Sequence, residues 1–228
     1  MRRLLKRSLI ALLAIVLLWQ GWYLCWVVAW KFTNPGTTHF MAIRLAELRQ
    51  KNPKAELKHR WVPYARISEH LKRAVVASED DKFVDHDGFD WAAMQKALEK
   101  DQRKGKPVAG GSTISQQLAK NLFLSPARTP WRKLQEAAIT LMLETVWDKR
   151  RILEVYLNVV EWGQGVFGAE AAARRYYGIP AAQLSAEQAA RLAVMLPAPR
   201  RFEKNPYSAF VDYHTQVILG RMRYSEVP

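Results

Sequence analysis

The 228-residue chain has a single cysteine, Cys25, so no intrachain disulfide can form and the fold must be held by its core. It is short of acid, with 21 Asp and Glu against 35 Lys and Arg, a net charge of +14. That imbalance points to an anionic partner: nucleic acid, a phospholipid surface or a phosphorylated substrate. Period-two alternation is never sustained and no repeat of 20 to 50 residues occurs, which argues against a β-rich fold and a solenoid. Hydrophobic residues at 49% and charged residues at 25% are ordinary globular values, which excludes long disorder and an all-membrane chain. Length and composition fit one domain with an additional segment.

That segment is N-terminal. Residues 8–30 carry no formal charge and follow Arg2, Arg3, Lys6 and Arg7. As a helix they would measure roughly 34 Å, enough to cross a hydrocarbon layer of about 30 Å. A cleaved signal peptide has an apolar stretch of about 7 to 15 residues and a small-x-small site. Val27-Val28-Ala29-Trp30 is a poor site, so an uncleaved anchor is expected over 8–30, with a basic cytoplasmic tail at 1–7 and the rest of the chain outside. Four of the basic residues and none of the acidic ones precede position 31, so the exported part keeps a net charge of +10. Export argues against nucleic acid. It favours anionic head groups or a lipid-linked phosphate, beside the plainer reading of a solvated basic surface. Trp19, Trp22, Tyr23, Trp26 and Trp30 share one face of the anchor, as an interfacial belt or as a docking face for a helix or a prenyl chain.

Beyond the anchor, 31–60 reads as a membrane-proximal segment and 61–228 as a mainly helical domain with at most a small hairpin. Ile67, Leu71, Ala74 and Val75 recur at helical spacing, as do Trp91, Met94, Ala97 and Leu98 after Asp90. A glycine-rich loop at 105–111 leads to Ser112 and Thr113, good caps for a helix carrying Ile114 and Leu118. Thr129-Pro130 opens a longer helix through Val146. Ile152, Val155, Tyr156, Val159 and Val160 mark another, and Ser185 with Gln188 makes a capping box before a run that Pro197 ends.

Several chemistries lack their motifs. The chain has no His-Glu-x-x-His, no Gly-x-Ser-x-Gly and no Gly-Lys-Ser/Thr phosphate loop, and its five His have no metal-ligand spacing. Gly163-Gln164-Gly165-Val166-Phe167-Gly168 matches the dinucleotide pattern without the expected βαβ context, so a tight turn or close backbone approach is the better reading. What remains is a set of carboxylates, amides and cations. Glu79-Asp80-Asp81 ends an apolar helix, as a solvated cluster or as part of a site. Ser112, Thr113, Gln116, Gln117 and Asn121 surround a helix N-terminus that favours anions, with Lys120 on the same helix. Arg128, Arg132 and Lys133 follow, then Glu136 and, two turns on, Glu144. Cations beside separated carboxylates suit sugar transfer from a phosphate leaving group, which needs a base for the acceptor and positive charge for the departing anion.

These residues resemble the peptidoglycan glycosyltransferases. Glu-Asp-x-x-Phe-x-x-His-x-Gly-x-Asp at 79–90, Gly-Gly-Ser-Thr-Ile-x-Gln-Gln-Leu-x-Lys-Asn at 110–121 and Arg-Lys-x-x-Glu at 132–136 are similar to that family's first three motifs. Ile152-x-Glu154-x-Tyr156-Leu157-Asn158, the glycines at 163, 165 and 168, and Ala171-Ala172 resemble the fourth. Lys82, where many relatives have Arg, and Tyr177, where Phe is common, are conservative departures. The resemblance implies a lysozyme-like, mainly helical glycosyltransferase domain behind a single transmembrane helix, polymerising lipid II on the outer face of the bacterial cytoplasmic (inner) membrane. It implies Glu79 as catalytic base and Glu136 as the second acid. Lys120 and Arg128 would meet the donor pyrophosphate, with Ser112, Thr113, Gln116, Gln117, Asn121, Arg132 and Lys133 contributing to substrate binding. The absence of Ser-x-x-Lys and Lys-Thr-Gly leads to the expectation of a monofunctional member without a transpeptidase module. No organic cofactor is implied. Glu136 could orient the substrate or help hold Mg²⁺ or Mn²⁺. Lipid II, the growing glycan, membrane lipids and other cell wall synthesis or division proteins are the expected partners. A lysozyme-like hydrolase or lytic transglycosylase is the alternative, using Glu79 as an acid without phosphate-binding cations. A non-catalytic membrane scaffold would need neither carboxylate.

Overall fold

A computed structural model of the chain describes residues 2–104, 110–127 and 129–228. Its elements are α1 (Arg2–Phe32), α2 (His39–Lys51), β1 (Lys58–His59), α3 (Glu69–Glu79), α4 (Trp91–Lys104), α5 (Ile114–Phe123), α6 (Pro130–Val146), α7 (Lys149–Val159), β2 (Glu161–Gly163), β3 (Val166–Phe167), α8 (Ala169–Tyr177), α9 (Ala186–Met195), the single turn α10 (Pro199–Phe202) and α11 (Ala209–Arg221). The fold is mainly helical, as the periodicity predicts.

α1 is one helix, long and apolar enough to cross a membrane. From Arg2 to Trp19 every residue is exposed, although the Trp19 ring, at the end of this stretch, lies 6.3 Å from that of Trp131 on α6. Its C-terminal part instead lies on the domain. Tyr23 and Val27 are buried, and the Phe123 ring meets Tyr23 edge-on and stacks on Trp30. The indole N–H of Trp147 donates to Val27 O at 2.7 Å, and the Arg151 guanidinium donates to Trp30 O at 2.7 Å. The amides of Gln20 and Gln135 exchange hydrogen bonds at 3.0 Å. The aromatic stripe is therefore divided: Tyr23 and Trp30 dock onto this chain's own domain, while Trp22 and Trp26 remain exposed.

In the domain, α9 packs against both α3 and α11, and α5 packs against α2, α6 and α7. Leu71, Val75, Leu118, Ile139, Tyr156 and Trp162 are among the fully buried side chains between these helices. The local signals sit where the sequence places them. Thr129 caps α6 with Pro130 in its first turn, and Thr113 with Gln116 and Ser185 with Gln188 form capping boxes on α5 and α9. α4 departs from the amphipathic expectation, since Trp91 and Leu98 face outward. The loop predicted at 105–111 lies largely outside the described residues.

The expected hairpin is a three-stranded sheet in the order β1-β3-β2, with β1 parallel to β3. β1 is two residues long, too short to leave an alternation in the sequence. The glycine pattern at 163–168 makes the hairpin turn and the corner into α8. Gly165 has φ +72° and Gly168 φ +82°, and a Cβ on Gly168 would lie 2.6 Å from Asn158 O. Close backbone approach explains these glycines, and the antiparallel β2–β3 pair has no βαβ connection.

Candidate active site

The three consecutive acids at the end of α3 have separate surroundings. α3 buries Leu71, Ala74, Val75 and Val76 in the core, which brings Glu79 in its last turn against α5. Asp80 is buried and structural: it bonds His86 Nε2 at 2.9 Å and accepts from the Ile114 N–H at 2.9 Å, tying the end of α3 to the start of α5. Asp81 is exposed and takes a hydrogen bond from Ser225. Glu79 is half-buried. Its Oε2 accepts from Gln117 Nε2 at 2.7 Å, whereas Oε1 is shielded from solvent with no hydrogen-bond partner among the described residues. Burial pushes its carboxyl pKa above the ordinary value, partly offset by the Gln117 hydrogen bond and the Lys120 charge, while Asp80 pushes the same way as burial.

Lys120 follows Gln117 by one turn on α5. Among the described residues it has no salt bridge, and its Nζ lies 5.8 Å from the Phe40 ring centroid. Burial lowers its pKa, against the attraction of Glu136. Glu136 is itself buried on α6 and engaged through both oxygens, by Arg132 Nη1 at 2.5 Å and by Lys133 Nζ. Lys133 also donates to the Ser112 hydroxyl at 3.3 Å. No three His, Cys, Asp or Glu side chains converge as metal ligands among the described residues. With Arg132 and Lys133 occupying its oxygens, Glu136 does not fit a divalent-ion cage.

Glu79, Gln117, Lys120, Asn121, Arg132 and Glu136 line one cleft of about 560 Å³, with Ser112 and Lys133 at its wall. Two expected members are not in that lining. Thr113 and Gln116 are buried and bonded to each other across the α5 cap, and the Thr113 hydroxyl donates to Gly88 O at 2.7 Å. Arg128 lies outside the described residues. Glu144, read in sequence as a second, separated carboxylate two turns beyond Glu136, is elsewhere: it accepts from Ser115 Oγ at 2.5 Å and pairs with Lys149 at 2.9 Å. Two turns of helix separate it from Glu136, and the turn of α6 directs it under the 86–88 loop.

The sequence reading missed Arg44 and Glu161 in the cleft wall and Arg200 behind them. Arg44 pairs with Glu47 at 2.8 Å and with Glu161 at 3.3 Å, and Arg200 Nε donates to Glu161 at 2.8 Å. The available signal was Glu161 itself, a single charge between Val159-Val160 and Trp162. The cleft thus combines a carboxylate with one oxygen unpartnered among the described residues, able to accept a proton, and cations able to hold an anion.

Residues 45–223 match the transglycosylase family. A relative from Dechloromonas aromatica is 62% identical over 226 residues, covering 99% of this chain and 98% of its own. One from Azoarcus sp. is also 62% identical, over 99% of this chain and 97% of its own, and one from Chromobacterium violaceum is 57% identical over the full length of both. All three are named biosynthetic peptidoglycan transglycosylase. A match over most of the chain, joined to relatives of this identity and equal length, makes the chain a member of the transglycosylase family.

Proposed function

We propose that the chain is a peptidoglycan glycosyltransferase that polymerises lipid II into β-1,4 glycan, with Glu79 as general base and Lys120 holding the leaving pyrophosphate. The observation that carries this reading is the pairing, in one cleft, of a carboxylate with an unpartnered oxygen and a lysine without a salt bridge among the described residues. The relatives' names supply the polymer.

The reaction is one inverting displacement. Glu79 takes the proton of the acceptor's 4-hydroxyl as its oxygen attacks the anomeric carbon of the donor. A new C–O bond forms, the bond from that carbon to the pyrophosphate oxygen breaks, and undecaprenyl pyrophosphate leaves. Its charge is met by Lys120 and by Arg132 and Lys133, which Glu136 holds in place. Arg128 belongs to the same proposal by resemblance. Thr113 and Gln116 act by shaping the N-terminus of α5. A two-carboxylate hydrolase is disfavoured because Glu136 is engaged by two cations and is poorly placed to serve as its second acid or base.

α1 would anchor the enzyme in the cytoplasmic membrane as a single-pass type II protein, its basic flank inside and the cleft on the outer side. The exposed apolar surface between Leu4 and Leu18 supports this. A reporter joined after Pro228 should be active only outside the cytoplasm, and activity inside would overturn the topology. The function is tested by purified full-length chain with lipid II as sole substrate. Glycan should form and undecaprenyl pyrophosphate should be released. Breakdown of preformed glycan without synthesis would overturn the assignment.

A further inference from the structure

A buried hydrogen-bonded chain runs from α7 to the carboxylate of Glu79. The Tyr156 hydroxyl donates to Gln117 Oε1 at 3.0 Å, and Gln117 Nε2 donates to Glu79 Oε2 at 2.7 Å. Tyr156 has no exposed surface and does not line the cleft, so it has no contact with substrate to offer. Its effect must pass through Gln117.

A primary amide offers a donor at one end and an acceptor at the other, and what holds one end decides which faces the carboxylate. With the phenol donating to Oε1, Nε2 is presented to Glu79. Turned over, the amide would set Oε1 against Glu79 Oε2, two acceptors at contact distance. The turn would also leave the phenolic proton without an acceptor among the described residues, inside a fully buried pocket. Burial raises the Tyr156 pKa well above its ordinary value, so the phenol stays a neutral donor. The chain therefore has one favourable polarity while Glu79 is ionised, and it occupies Oε2 while Oε1 has no partner among the described residues.

We propose that Tyr156 is a positioning residue for the transfer reaction, which through Gln117 ties down Oε2 of Glu79 and leaves Oε1 to take the acceptor's proton. This rests on the reading of Glu79 as general base. It also gives Gln117 a role in orienting the base in addition to any contact with substrate. The other groups around Glu79 are accounted for separately. Lys120 on α5 favours its charge and Asp80 opposes it, while Asp80 is bound to His86 and the Ile114 N–H. Farther along the cleft, Arg132 and Lys133 are paired with Glu136, and Arg44 with Glu47 and Glu161. On the elements packed behind α3, Arg191 is paired with Asp212 and Arg221 with Asp81.

The test is the pH–rate profile of glycan synthesis from lipid II by full-length parent, Tyr156→Phe, Gln117→Leu and the double variant, with thermal unfolding as the folding control. Tyr156→Phe keeps the ring and removes only the donor. Its kcat should fall on the order of tenfold near neutral pH with KM little changed, its acid limb should move to higher pH, and the deficit should close as pH rises. The double variant should be no slower than Gln117→Leu, because both changes break one chain. A folded Tyr156→Phe protein with the parental acid limb, or a double variant whose loss is the product of the single losses, overturns the relay. Gln117→Leu carries the same expectation if Tyr156→Phe does not fold, and an unmoved limb there overturns it equally. The underlying reading is judged apart: a parent that synthesises glycan and a Glu79→Gln variant that does not keep the base in place even when the relay fails.

Discussion

Glu79, at the end of α3, and Glu136, at the start of α6, line one cleft, yet their surroundings give the same side chain opposite capacities. Glu79 meets an amide at one oxygen and nothing among the described residues at the other, in a site where burial favours the protonated form. Glu136 is more deeply buried but gripped by Arg132 and Lys133. The first is arranged to exchange a proton, the second to hold charge in place. Partners, more than depth of burial, separate a base from a scaffold.

The sharpest way to break this contrast is to remove the base. Glu79→Gln should lower glycan synthesis from lipid II by roughly 10² to 10⁴ with the fold intact, whereas parental rates in a folded variant would mean that another group takes the proton. Next in size is the cation that Glu136 does not hold. Lys120→Ala should slow turnover on the order of a hundredfold, for the loss of about 3 kcal/mol of charge-assisted bonding to the departing pyrophosphate. Unchanged steady-state kinetics would exclude Lys120 from the donor side.

Glu136→Gln should have a smaller effect, about tenfold in kcat/KM, because it disorganises Arg132 and Lys133 without removing a reacting group. If its loss matched that of Glu79→Gln across the pH profile, the proposed division between base and scaffold would be wrong. The smallest effect concerns stability. The folded-state pKa of Glu79 is raised, so the stability associated with its protonation is fully present below the unfolded value of about 4.3 and is lost as pH rises through the folded value. At pH 7 the parent therefore carries the cost of a buried charge that Glu79→Gln lacks. The variant should melt higher at pH 7, and the gap should close toward pH 4. Melting curves that differ equally at both pH values would show that this charge is not the cause.

Much of the helical framework was legible because its signals are local. A cap and its partner stand three residues apart, so Thr129-Pro130, Thr113 with Gln116, and Ser185 with Gln188 could be read without knowing the fold. The apolar spacing of α3 and α7 was equally direct. Other features depended on distant contacts. β1 is defined only by its pairing with β3, more than a hundred residues on. The stripe on α1 reads alike from Trp19 to Trp30, but Phe123, Trp147 and Arg151 decide which part of it docks onto the domain. Arg44, Glu161 and Arg200 carried no shared motif, because nothing local links positions so far apart.

By itself the sequence determined the helical class, the caps, the apolar N-terminal helix with its basic flank, and the residue types available for proton transfer and anion binding. Each follows from composition or from spacing within a turn or two. How those residues differ in chemistry came only with the tertiary structure: that Asp80 is a tie and Glu79 a carboxylate with one oxygen unpartnered among the described residues, that Glu144 lies away from the cleft, and that Tyr156 reaches Glu79 through Gln117. The physical reason is that the proton affinity and hydrogen-bonding capacity of a carboxylate belong to its surroundings. Those surroundings are assembled from α3, α5, α6 and α7 when their apolar faces close on one another.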